Sequence, residues 1–335
     1  MNYAIIGCGL IGKKRLAGLP AGSKLVVACD TNLSRAEELV KAAKTGRLIA
    51  DFKEAVSDSQ VDAVIVATIN AALAEVSAAA IRAGKHVLVE KPAGVSMKQI
   101  DELISLARKH KVNVRVGFNH RYHPAFRKAR EIFQSGVMGE LMFIRARYGH
   151  GGRVGYNKEW RANPKLSGGG ELIDQGIHLI DLAGWFLGEF TKVDGHATTY
   201  FWNMPVDDNA FLSLRTANGQ TAWLHVSCTE WKNLFSFEIY GRNTKLHIEG
   251  LGGSYGVEKL FHYQMKPEMG PPDTKSYEFS GPDESWRIEL TEFERDIQLK
   301  RRPDAGLKEA KIALQIISKI YRQSGFDFDS ASPRL

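Results

Sequence analysis

Between Gly168 and Gly188 the chain reads GGGELIDQGIHLIDLAGWFLG, and within it Glu171, Asp174, His178 and Asp181 carry groups able to hold or move a proton. They fall at i, i+3, i+7 and i+10, so on a helix they form one continuous stripe. Leu172, Ile173, Ile177, Leu179, Ile180 and Leu182 occupy the remaining surface. The pattern predicts a largely buried helix with a polar stripe let into it. Burying a carboxylate or imidazole without a partner costs on the order of several kcal/mol, so the stripe requires a compensating network or a polar cleft to line. A satisfied core Asp/His pair and an acid–base pair at a reaction site both meet that requirement.

A second signature is GCGLIG at residues 7–12, which matches G-x-G-x-x-G. It follows an apolar run, opens the helical stretch LIGKKRLAGL, and is followed 18 residues after Gly12 by Asp30 at the end of the next apolar run. In that context Gly7 permits a tight turn, Gly9 lets the backbone approach a pyrophosphate, and Gly12 allows close packing of helix on strand. The expected cofactor contacts are Gly7, Gly9, Leu10, Ile11, Gly12 and Asp30. A carboxylate at Asp30 accepts from ribose hydroxyls and repels a 2′-phosphate, so NAD is expected rather than NADP. Further along, VLVEKPAG (87–94) places Glu90 and Lys91 where a parallel strand ends, the edge at which open α/β sheets bind ligands.

The elements that must carry these groups read clearly. YAIIG, KLVVACD, DAVIVAT, KHVLVE and VNVRVGFN are short apolar runs of strand character, separated by helical patterns such as LSRAEELVKAAKTG and SMKQIDELISLARKH. This alternation implies a doubly wound parallel sheet. From about 190 to 265 the sequence alternates as an antiparallel sheet does, MKPEMGPPDTKS (265–276) reads as a surface loop, and helical periodicity returns after 284. The expected fold class is α/β, with a dinucleotide-binding domain over 1–120 and a substrate-binding and oligomerisation domain over 121–323. The C-terminal helices (284–323) are expected to pack back on the first domain, and 324–335 is expected to be a tail.

At 335 residues, 44% hydrophobic and 25% charged, the composition is that of a globular chain with room for two cores. No run approaches a membrane span, and MNYAIIGCG enters a strand at once, so neither secretion nor a membrane is expected. Cys8, Cys29 and Cys228 are odd in number and widely spaced, as free thiols of a cytoplasmic protein are. The net charge of +7 comes without a nucleic-acid-binding signature, so the basic clusters, Lys13-Lys14-Arg15 among them, are expected on solvated faces. GGSYG (252–256) lies in a turn and not on a strand-to-helix elbow, which removes it as a hydrolase motif. No spacing supports a metal.

Strand-GxGxxG-helix, GKHVLVEKP, GFNHRYHP and GGGELIDQGIHLIDL occur together in the order seen in the Gfo/Idh/MocA oxidoreductases, and the chain resembles that family over essentially its whole length. The resemblance implies a Rossmann domain, a second α/β domain with an open, mainly antiparallel sheet, and hydride exchange between a nicotinamide dinucleotide and a sugar, nucleotide-linked sugar or cyclitol. It also implies that Lys91, Asp174 and His178 are the catalytic groups. His178, titrating near neutrality, would take the alcohol proton, Lys91 would stabilise negative charge on the same oxygen, and Asp174 would hold a neighbouring hydroxyl or orient His178. Gly168 to Gly170 and Gly176 would allow close approach of the ligand. Asn119 joins the expected cofactor set, and Arg121 and Tyr122 sit where relatives contact substrate.

One departure from the family pattern is TINAAL, where Ile69 and Leu73 replace a proline and a histidine; Thr68 and Asn70 remain expected cofactor contacts. In YGHGGRVGYNKEWRANPKLSGGG, His150, Arg153, Tyr156, Trp160 and Arg161 combine stacking surface with cationic donors and suit a sugar bearing a carboxylate or phosphate. That loop looks similar to those of relatives acting on nucleotide-linked sugars. The open sheet needs covering, so a homodimer or homotetramer is expected. The alternative function is a catalytically silent, dinucleotide-sensing regulator.

Overall fold

The computed structural model describes residues 1–268 and 270–326, and the final residues of the expected tail, 327–335, lie outside them. The chain divides into two compact units. The first comprises Met1–Asn119, Leu166–Gly168 and Trp286–Gln315; the second comprises His120–Lys165, Gly169–Ser285 and the chain from Ile316. No described helix is long and apolar enough to cross a membrane.

In the first unit a six-stranded parallel sheet runs β3-β2-β1-β4-β5-β6. Its strands are β1 (Asn2–Ile6), β2 (Lys24–Cys29), β3 (Arg47–Ile49), β4 (Ala63–Val66), β5 (His86–Val89) and β6 (Val114–Val116). Helices α1 (Leu10–Ala17), α2 (Leu33–Ala43), α3 (Phe52–Ser57), α4 (Asn70–Arg82) and α5 (Met97–His110) connect them. The central strands read as unbroken apolar runs because both faces of such a sheet are covered. Five of the strands coincide with the apolar runs. The sixth, β3, escapes notice because it has three residues and lies at the sheet edge with Arg47 and Leu48 exposed.

Helix α9 (Ser285–Gln298) contributes Leu290 and Phe293 to the core of this unit, against Tyr3, Ile5, Leu25 and Leu39. It also supplies half of a buried ionic node. Arg15, expected on a solvated face, is fully buried: its Nε donates to Glu90 at 2.6 Å and its Nη1 to Glu289 at 2.6 Å, with Trp286 stacked on the guanidinium at 4.6 Å. Burial pushes the Glu289 carboxyl up even with Arg15 beside it. The node pins α1, the end of β5 and α9 together. Helix α10 (Leu307–Gln323) is divided at Gln315 between the units.

The second unit is built on an eight-stranded sheet ordered β14-β13-β12-β11-β7-β10-β9-β8, antiparallel except where β7 pairs with β10. Helices α6 (Pro124–Gln134) and α8 (Ile177–Leu187) come with β7 (Leu141–Gly149), β8 (Phe190–Thr198), β9 (Asn209–Thr216) and β10 (Thr221–Ser227), and α7 (Pro164–Ser167) is divided after Lys165 between the units. The sheet continues with β11 (Leu234–Gly241), β12 (Thr244–Glu249), β13 (Glu258–Gln264) and β14 (Asp273–Phe279). α6 and α8 cover one face. The other carries Trp223, 58% exposed, and a Phe143–Tyr240 stack with centroids 4.1 Å apart. The loop expected over 265–276 ends earlier: β14 begins at Asp273 and pairs along β13. It is a polar edge strand without a buried alternate face, so it lacks the pattern that marks the others.

Arg15→Ala would remove the cation bonded to Glu289 and Glu90, and urea unfolding should register a loss of roughly 3–5 kcal/mol; a loss under about 1 kcal/mol would show that the node is not what holds α1 to α9.

Candidate active site

The glycine-rich turn of the first unit separates protein packing from space left open. Gly7 sits at φ 95° with its N–H donated to the Cys29 carbonyl at 2.8 Å, and a Cβ on it would meet the Ala67 carbonyl at 2.4 Å. A Cβ on Gly12 would lie 2.1 Å from the Gly7 carbonyl, whereas one on Gly9 meets no protein atom within 4 Å. Gly9 is also the N-cap of α1 and offers no side-chain cap, so the first amides of the helix are left to bind something else. Leu10 beside it is 72% exposed, and Ile11 is half-buried.

Asp30 accepts from the backbone of Cys8 (2.8 Å) and of Asn32 (2.8 Å), one bond to each oxygen, which ties it to the glycine turn. An open cradle of uncapped amides beside a fixed carboxylate fits a pyrophosphate joined to a ribose diol.

The other expected cofactor residues have mixed placements. Half-buried Thr68 donates to the Ile69 carbonyl at 3.2 Å, and buried Asn70 donates its amide to the Ser167 carbonyl at 2.8 Å. The carboxylate of Glu90 is committed to Arg15. Lys91 is half-buried just past β5, before a cis bond to Pro92, and Asn119 is buried at the start of a 3-10 turn, Asn119–Tyr122.

In the second unit the polar stripe is real, but its helix is not uniform. Leu172–Gly176 form a turn of π-helix that runs directly into α8. Such turns widen the spacing of side chains and recur at functional sites. Its N-terminus is held by Asp207, fully buried, which accepts from Gly170 N (2.8 Å), Leu172 N (2.8 Å) and the Tyr321 hydroxyl (2.7 Å). Burial raises the Asp207 carboxyl to about 6 against those bonds. Three of the glycines expected to admit a ligand are crowded by the protein's own packing. A Cβ on Gly169 would sit 2.2 Å from the Tyr321 hydroxyl, one on Gly170 1.9 Å from the Asp207 carbonyl, and one on Gly176 3.0 Å from Leu172 Cδ1 and 3.3 Å from Val226 Cγ2.

Each member of the stripe has its own partner. Glu171 accepts from the Tyr156 hydroxyl at 2.6 Å and lies 3.5 Å from His150 Nε2. His150 Nδ1 accepts from Gly152 N at 2.9 Å, which assigns the ring proton to the nitrogen near Glu171. Arg161 Nε donates to Asp174 at 3.0 Å, and its guanidinium stacks on the half-buried Trp160 at 4.6 Å. Arg121 grips Asp181 with two donors, 2.8 and 2.6 Å, over the Trp185 ring. His178, 5% exposed, stacks on His120 with centroids 3.8 Å apart.

Of the residues expected to meet substrate, therefore, Tyr156, Arg161 and Arg121 hold the stripe. Arg153 is an exposed partner of Glu159 at 2.7 Å, and Tyr122 is buried on the 3-10 turn. The sequence reading did not find Asp207, Tyr321 or the His120 stack. His120 stood in it only as part of GFNHRYHP, and a lone Asp–Asp pair between strands carries no local signal at all.

A family model described as "Oxidoreductase family, NAD-binding Rossmann fold" matches residues 1–118, and the "GFO/IDH/MocA C-terminal domain" matches 126–247. D-glucoside 3-dehydrogenase of Escherichia coli is 30% identical over 248 residues, 68% of this chain and 70% of the relative. Inositol 2-dehydrogenase 2 of Saccharopolyspora erythraea is 29% identical over 226 residues, 65% of this chain and 64% of that one. Among solved structures, levoglucosan dehydrogenase in complex with NADH superposes with a TM-score of 0.87 at 21% identity, covering 97% of this chain and 98% of the other.

Gly9→Ala adds a methyl where no protein atom waits. Its melting temperature should match the wild type while NADH affinity, read by fluorescence titration, falls at least tenfold; unchanged affinity would remove the turn from the cofactor site. Asp207 titrates with a folded pKa above its unfolded value near 3.9, so its contribution to stability falls as pH rises towards and through about 6. Asp207→Asn also puts an amide against a backbone N–H. It should be less stable at every pH, with its deficit relative to wild type growing by about 1 kcal/mol between pH 7 and pH 5 in urea unfolding.

Proposed function

The chain belongs to the Gfo/Idh/MocA family of oxidoreductases, and from that premise we propose that it is an NAD-dependent dehydrogenase or ketoreductase acting on a secondary alcohol or ketone of a neutral sugar or cyclitol. The observation that carries this reading is that an uncapped dinucleotide cradle and an Asp/His pair in a buried polar stripe occur in one chain, with Lys91 retained.

The bound nicotinamide would supply the hydride acceptor or donor. His178 takes the hydroxyl proton in oxidation and returns it in reduction, a role suited to an imidazole near neutral pH. The Lys91 ammonium donates to the same oxygen and opposes the negative charge that develops there. Asp174, steadied by Arg161, accepts from a neighbouring hydroxyl and fixes the ring to be oxidised. Tyr122, Trp160 and Arg161 complete the substrate set, Trp160 offering a flat apolar face.

A neutral substrate is favoured over the anionic one expected from the loop that carries Arg153 and Arg161, because Arg121, Arg153 and Arg161 are each already engaged by a carboxylate. Two of the relatives named above are, by their names, a D-glucoside dehydrogenase and an inositol dehydrogenase, which supports the same choice. Asp30 favours NAD over NADP: each of its oxygens keeps a lone pair for a ribose hydroxyl, and its charge repels a 2′-phosphate. Three free buried thiols suit a cytoplasmic setting. The aromatic outer face of the large sheet is proposed as the surface between copies of the chain; Trp223→Glu should then lower the mass seen in sedimentation.

Protein and NAD mixed with a panel of free hexoses, glycosides, inositols, sugar phosphates and UDP-sugars should generate NADH absorbance with a neutral member, and His178→Asn should lower kcat by about 10²–10⁴. A silent panel with NAD bound would favour a dinucleotide-sensing regulator.

A further inference from the structure

His178 shares its place in the second unit with another imidazole. His120, on the 3-10 turn Asn119–Tyr122, lies almost parallel to it, with centroids 3.8 Å apart and planes 14° apart. Both rings are buried, His120 at 6% exposure and His178 at 5%. The edge of His120 is held: Nε2 is 3.3 Å from the Tyr148 hydroxyl, which is itself hydrogen-bonded to Tyr255, whose hydroxyl accepts from Gln175 Nε2 at 3.2 Å. Phe235 stands against another edge at 6.3 Å. Gln175 sits on the π-turn that precedes His178, so the network returns to the helix it started from.

The charged and titratable groups around the pair have partners of their own, and the Asp174 and Glu171 carboxylates also act on the Tyr148 hydroxyl. Arg121 is paired with Asp181 and Asp174 with Arg161. Glu171 is bonded by Tyr156. His123, edge-on to His120 at 5.6 Å, has its Nδ1 3.0 Å from Glu258 and 3.9 Å from Asp283.

A cation over an aromatic face is stabilised, whereas two imidazolium rings this close repel, so the pair accommodates one proton and not two. We propose that His120 is a positioning residue: held in place by Tyr148, its ring is the aromatic platform on which His178 bears its positive charge after taking the substrate proton. This rests on the reading of His178 as the base. The platform acts on the step by which the O–H bond breaks and the proton passes to the His178 ring, and it exchanges no proton itself.

The test is a set of variants read by two independent means: NMR titration of the histidine rings in the whole protein, and the pH dependence of kcat/KM on whichever substrate the panel yields. His120→Ala removes the face and His120→Asn keeps a polar group towards Tyr148 without an aromatic ring. Both should lower the His178 pKa by about half a unit or more, move the acid limb to lower pH, and cut kcat about tenfold. His120→Phe should restore most of each. The NADH affinity of all three should equal the wild type's, since His120 lies outside the glycine turn.

A His178 pKa unmoved in His120→Ala, or a His120→Phe protein that folds and binds NADH yet behaves as His120→Ala does, would overturn the platform. If His120→Ala fails to fold, the comparison of His120→Phe with His120→Asn decides in the same way. His178→Asn with undiminished activity would instead sink the reading of His178 as base, and the platform's catalytic role with it, whatever the titration shows.

Discussion

Taking a carboxylate or an imidazole out of water is tolerated only where a donor, a cation or an aromatic face replaces the lost hydration. Four such groups lie on one helix that is otherwise largely apolar, and much of the second unit is arranged around meeting them. Tyr156 and Arg161 come from the segment after β7, Arg121 and His120 from the turn before α6, and each meets a different member of the stripe. Because the partners are supplied by two separate stretches of chain, the stripe fixes the positions of those stretches as much as they fix it.

The first unit obeys the same constraint with the signs reversed. The buried guanidinium of Arg15 is enclosed by Glu90, Glu289 and the Trp286 ring, and it links the helix that starts at the glycine turn to the strand end that carries Lys91. Glu90 therefore contributes to the proposed chemistry through position: it anchors the backbone one residue before the lysine. The turn itself is shaped by two glycines crowded by backbone and one that faces open space, and only the last of these is free to answer to a ligand.

The legible parts of this protein were those encoded locally. The parallel strands, the long helices, the G-x-G-x-x-G turn and the spacing of Glu171, Asp174, His178 and Asp181 are all short-range patterns, and short-range patterns survive in a string of residues. What went astray was decided at a distance. Arg15 reads as part of a basic surface run until α9, some 270 positions later, brings Glu289 to it at 2.6 Å. Arg153 and Arg161 read as anion binders until Glu159 and Asp174 are seen to occupy them. Gly170 reads as room for a ligand until the Asp207 backbone is found against it. The strands β3 and β14 were missed for a related reason: edge strands bury too little to leave an alternating trace.

The amino-acid sequence by itself determined the fold class, the place of the dinucleotide turn, and the identity of the groups able to move a proton, because each depends on residue type and near-neighbour spacing alone. Only the tertiary structure decided what those groups do for one another: that Asp174 is steadied by Arg161, that His178 rests on His120, and that the helix between them opens into a π-turn under the hold of Asp207. The reason is physical. Hydrogen bonds and ring contacts act over a few ångströms, and in a folded chain the residue a few ångströms away is set by packing, which no local pattern records.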